Sequence, residues 1–151
     1  MMMHQRLFQT VFFALAVVLF APHAFAQQDA IEKRQKLMKE NGAAAKAIKG
    51  ALESKDYATI ETKAKDIGNN MDKVNDLFPK GSTSDKSRAL PAIWEKWDEF
   101  SKNPAKVKKA ASDVADAAKA KDDGALAGKV KALGEACGGC HKNFRAEEKK
   151  G

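Results

Sequence analysis

Cys137-Gly138-Gly139-Cys140-His141, close to the end of the chain, restricts its fold more than any other feature. C-x-x-C-H reads as a covalent attachment site for haem c. Two thiols add to the two vinyl groups of one porphyrin, and the adjacent imidazole binds its iron. On a helix, Cys137 and Cys140 share a face, with His141 on the neighbouring edge. Any fold for this chain must leave room for that group.

Other chemistries for the motif fit less well. A thioredoxin-type C-x-x-C opens a helix after a strand in a βαβ pattern, whereas this pair sits late in a helical stretch of a chain with few strand signals. Structural zinc takes four ligands, and the two cysteines with one histidine fall short. The motif holds the chain's only cysteines, so no wider disulfide framework exists.

Residues 1–26 read as a cleaved secretory leader. Arg6 supplies a basic start, residues 11–21 are apolar, and Ala24-Phe25-Ala26 is a small-x-small cleavage signal. The apolar run is well short of the roughly 20 residues of a spanning helix. The working domain is then 27–151, one domain with a single modest core. Export places it in the bacterial periplasm, with no stable membrane insertion once the leader is gone. The net charge of +7, one unit of it from Arg6, comes from Lys and acidic residues that alternate along the chain. Such a pattern gives solvated helix faces and a positive surface suited to acidic redox partner proteins. Basic residues do not cluster with aromatics, so no nucleic-acid partner is expected.

Four amphipathic segments follow. The first, about 29–52, carries Ile31, Met38, Ala45 and Leu52 beside a second row of Ala30, Leu37, Ala44 and Ala51. The second starts after a plausible N-cap at Asp56. Its stripe is Tyr57, Ile60, Ala64, Ile67, Met71, Val74 and Phe78. A loop over 78–85 leads to a third segment opened by Pro91, with Ile93, Trp97, Phe100, Val107, Ala111, Val114 and Ala118 in register across Pro104. The interior proline predicts a kink or short interruption near Asn103-Pro104. The last segment carries Leu126, Val130, Leu133, Cys137, Cys140 and Phe144. The expectation is an all-α, antiparallel up-down-up-down four-helix bundle holding a covalent haem.

His141 is the only histidine beyond the leader, and Met38 and Met71 are the only methionines beyond it. Haem iron commonly takes His with Met as a second ligand. Either Met can equally be core filling, and the pattern alone does not separate them.

A C-x-x-C-H at the end of a four-helix bundle resembles the class II cytochromes c, the group that contains cytochrome c′ and its low-spin relatives. The resemblance spans residues 27–151. It is carried by the stretch Arg34-Gln35-Lys36-Leu37-Met38-Lys39-Glu40-Asn41-Gly42, by Leu77-Phe78-Pro79, by Pro91-Ala92-Ile93-Trp94, and by Cys137 to Arg145. It implies thioether bonds from Cys137 and Cys140, a proximal His141, and Arg145 near the proximal pocket. It further implies Arg34 and Gln35 near the haem propionates, and Met38 on the distal side. In cytochromes c′ that distal position is usually an apolar blocker beside a five-coordinate iron that binds NO or CO. In the low-spin branch a first-helix Met ligates the iron, and this stretch is more similar to that branch.

The expected function is a periplasmic monohaem c-type cytochrome that carries one electron with His141/Met38 ligation, and not an enzyme. The alternative is a five-coordinate NO/CO-binding protein. No cluster of acids and bases suggests substrate turnover. The apolar stripes fit a monomer or a homodimer.

Overall fold

The computed structural model describes residues 21–148. Four long helices, α1 (Ala21–Ser54), α2 (Tyr57–Met71), α5 (Asn103–Lys119) and α6 (Asp123–Phe144), form the bundle. Two single-turn helices, α3 (Ala92–Glu95) and α4 (Trp97–Phe100), lie in the connection between α2 and α5. No strand occurs among the described residues, and the one isolated bridge pairs Ala89 with Arg145. The expected bundle is therefore present.

The two tight turns share one design. Lys55 and Lys121 take left-handed backbone, φ 54° and 53°, which ends α1 and α5. The next residue caps the following helix: Asp56 accepts from the Thr59 amide and Asp122 from the Ala125 amide, both at 3.1 Å. Lys55 and Tyr57 at one turn also reach Asp123 at the other, at 2.5 and 2.6 Å.

On α1 the two apolar rows separate after Ile31, which is buried. Ala30, Leu37, Ala44 and Ala51 are buried throughout, whereas Met38, Ala45 and Leu52 are only partly buried against the core. The α2 stripe is buried at Ile60, Ala64, Ile67 and Met71. The helix then ends, and Val74 reaches the core from a turn that leads into a short 3-10 helix, Asn75–Leu77.

The third segment is interrupted before Asn103, where a kink or short interruption was expected, and also at Lys96 (φ −120°, ψ 46°), where none was, so it is three helices. Pro104 occupies the first turn of α5, where its missing N–H removes no helical bond, so it starts a helix instead of kinking one. The Asn103 side chain ties the two pieces by donating to the carbonyls of Glu99 and Phe100. The break also turns Trp97 outward, leaving it 37% exposed, while Ile93 and Phe100 stay buried.

The leader expectation falls mainly on residues 1–20, outside the described residues. From Ala21 the helix continues through Ala26-Gln27, with Phe25 projecting from it, 76% exposed. Among the described residues no helix is long and apolar enough to cross a membrane.

Packing around the bundle is uneven. The α1–α2, α2–α5 and α5–α6 seams are closely packed, whereas α1 and α6 meet sparsely. The candidate site lies in that fourth seam.

Candidate haem site

Two cavities occupy the α1–α6 seam and share Met38, Val74, Cys140 and His141 in their walls. The first, about 200 Å³, is also lined by Cys137, Ala45, Ile67, Met71 and Leu133. The second, about 250 Å³, adds Arg34, Gln35, Phe78, Phe100, Phe144 and Arg145. All seven residues singled out in the sequence thus line one or both of these neighbouring cavities. Met71, the other methionine, borders only the first cavity.

The motif occupies the last two turns of α6, with Cys137, Cys140 and His141 half-buried. Burial pushes both thiols up, Cys140 to about 11 with Cys137 beside it adding to the rise. They stay protonated near neutrality, unlike the depressed thiolate of a redox C-x-x-C. Burial pulls the His141 imidazole down, and the positive charges of Arg145 and Arg88 act in the same direction. A neutral imidazole is the form that binds a metal. Among the described residues no three His, Cys, Asp or Glu side chains converge as a metal cluster.

The C-terminal end of α6 is fastened from outside. Leu90 donates to the Phe144 carbonyl and Ala146 to the Arg88 carbonyl, at 3.1 and 2.8 Å. Exposed Arg145 sits on that strap, on the second cavity's rim. The Phe144 ring packs edge-on to Phe100 at 5.3 Å, and Phe100 edge-on to Phe78 at 4.8 Å, which gives the second cavity an aromatic wall.

Arg34 has a role the sequence pattern did not reveal. It is 4% exposed, and its terminal nitrogens donate to the Leu77 carbonyl, to Ser82 Oγ and carbonyl, and to Ser87 Oγ. Its guanidinium also lies 4.6 Å from the centre of the Phe78 ring. These contacts clamp the loop between α2 and α3. The neighbouring Gln35 does the same more weakly, donating to the Lys86 carbonyl at 2.7 Å. Every acceptor on Arg34 is neutral, and burial lowers its affinity for its proton. A buried cation with no carboxylate partner, facing a cavity, suits an anionic group. Ser82 is buried through this clamp, and only the loop's folding shows it.

The residues fit a haem. Two protonated thiols and a neutral imidazole lie at one wall, a thioether lies on α1, the lining is apolar, and a cation stands at the rim.

Sequence comparison agrees. The sequence model of a family described as Cytochrome C' matches residues 29–145. Cytochrome c-556 of Rhodopseudomonas palustris is 34% identical, over 93% of this chain and 98% of its own. Cytochrome c' of the same organism is 33% identical, over 87% of this chain and 92% of its own. The solved structure of cytochrome c' from Rhodopseudomonas palustris superposes with a TM-score of 0.72 at 31% identity, covering 80% of this chain and 98% of that one. These matches do not separate the branches of the family, and the expected placement in its low-spin branch gains no support from them. With the match running through all four long helices to the end of the haem motif, the chain belongs to the cytochrome c′ family and carries covalent haem c.

Proposed function

We propose that this protein is an exported monohaem cytochrome that carries one electron, with His141 and Met38 as the two side chains that would hold the iron. One observation supports the reading above the others: Met38 and His141, on opposite sides of the α1–α6 seam, border the same two cavities. In this reading Cys137 and Cys140 hold the haem by thioethers and fix its register on α6. Arg34 and Gln35 stand at the propionate side, and Arg145 at the proximal rim. The bound group supplies a ferric/ferrous couple, and a Met thioether favours the ferrous state. The apolar walls exclude water from the iron. Lysine-rich helix faces steer acidic redox partners at low ionic strength, and a leader over residues 1–26 delivers the chain to the periplasm.

A second reading is a five-coordinate, NO- or CO-binding protein in which Met38 only fills the distal space. The name cytochrome c', borne by one relative and by the solved structure, supports it, and on names alone it has more support than the first. Met38 is a better donor than a purely aliphatic blocker, which is why the first reading is preferred here.

Optical spectra of the purified holoprotein with and without CO separate the two. A low-spin reduced spectrum that resists CO, and becomes high-spin in Met38→Ala, is expected for the electron carrier. A high-spin spectrum with rapid CO binding in the native protein would overturn it in favour of gas binding.

A further inference from the structure

Asn41 stands one helical turn after Met38 on α1 and borders the first cavity. Its Oδ1 accepts a 2.9 Å hydrogen bond from Asn70 Nδ2 on α2. In this pairing Oδ1 faces Asn70 and Nδ2 is the other end of the amide. The freed Nδ2 is buried and has no partner. Two other buried side-chain atoms share that condition among the described residues, Asn75 Oδ1 and Ser84 Oγ, and neither residue borders the two cavities. Asn103, the other amide on the first cavity, has its nitrogen satisfied by two carbonyls. Asn70 lines the groove on the outer side of the α1–α2 seam, together with Glu40, Lys63 and Asp66. The pair thus spans the seam, with Asn70 on the outer groove and Asn41 on the first cavity.

A buried donor without an acceptor is unfavourable and calls for a partner. The neighbouring candidate acceptor is the Met38 sulfur, a weak acceptor on the same helix face. We propose that Asn41 is a positioning residue for the iron's sixth ligand, its side-chain N–H donating to the Met38 thioether. The inference rests on the His141/Met38 reading above. A hydrogen bond to the sulfur draws electron density from the Fe–S bond. It weakens donation to ferric iron more than to ferrous iron, so it raises the reduction potential. Asn70 holds the donor in orientation from outside the cavity.

The test uses the purified holoprotein and three variants. Asn41→Leu removes the donor and the α1–α2 bond together. Asn70→Ala removes only the bond, and Met38→Ala removes the acceptor. Reduction potential is read by spectroelectrochemistry. The Asn41 side-chain amide is read by 15N NMR of the ferrous protein. The expected result is a low-spin Asn41→Leu protein with a lower potential than native, and a smaller change in Asn70→Ala. In the native protein, the amide proton should be ring-current-shifted and slow to exchange with solvent. A potential unchanged in Asn41→Leu, or lowered equally in Asn70→Ala, would overturn the donor role while leaving Met38 ligation standing. A high-spin native spectrum would overturn the ligation reading, and this proposal with it. Should Asn41→Leu not fold, an Asn41 amide that exchanges freely and lacks a ring-current shift in the native protein would be enough to reject the donor.

Discussion

Arg34 and Ser82, 48 positions apart, share two hydrogen bonds: one nitrogen donates to Ser82 Oγ at 2.7 Å and the other to its carbonyl at 2.5 Å. Through this contact the first helix sets the position of the loop between α2 and α3. Removing the guanidinium leaves four acceptors, two of them on the fully buried Ser82, to find new partners. Arg34→Leu is expected to cost about 3 kcal/mol in unfolding free energy, since hydrogen bonds to a charged donor each contribute about 1.5–3 kcal/mol and neighbours compensate in part. Urea denaturation of the holoprotein measures it. A loss below about 0.5 kcal/mol would show that the clamp contributes little.

Pro104 at the start of α5 gives the opposite sign from a proline inside a helix. An interior proline is unfavourable by about 3 kcal/mol, so its replacement by Ala would stabilise the protein. At the first turn, Pro104→Ala instead removes a restraint on the unfolded chain and is expected to destabilise by about 0.5–1 kcal/mol. Thermal unfolding of the two proteins decides the sign.

Ile60 is fully buried on α2 and borders neither of the two cavities. Ile60→Ala should cost about 2–5 kcal/mol through lost burial and the void left behind, with the haem spectrum unchanged. A spectral shift in this variant would mean that the core and the haem site are coupled more tightly than their separation suggests.

Asp123 receives hydrogen bonds from Lys55 and Tyr57, and these bonds hold its carboxyl below the usual range. A depressed carboxylate contributes stability that is fully present above its unfolded value. That stability is lost as pH falls through the folded one. Asp123→Asn should therefore lower the urea midpoint at about pH 7, and the gap from native should narrow as pH falls below the ordinary carboxylate range. A gap that persists in acid would assign the effect to the neutral hydrogen bonds instead.

Much of this was legible because periodic apolar residues report directly on buried helix faces. The stripes through Ile60-Ala64-Ile67 and through Leu126-Leu133 are buried as written, and the pentapeptide needs no tertiary context to be read. The third segment misled for a physical reason. Phe100 and Val107 are seven apart whether or not the helix is continuous, so register alone did not register the break at Lys96 or the outward turn of Trp97. Arg34 came forward only through the resemblance, which placed it near the haem propionates. Its clamp on Ser82 and Ser87 was not legible, because those contacts depend on how a loop without periodicity folds back. The resemblance alone put Met38 ahead of Met71, and the two cavities add a structural difference between them.

The sparse meeting of α1 and α6 has a consequence for how this molecule comes into being. Three flanks of the barrel-like stack are sealed by the polypeptide's own side chains, and on the proposed placement the remaining flank would be finished by a pigment stitched in afterwards. The prosthetic group would then be a structural member as well. Rigidity and colour should arrive in the same maturation event.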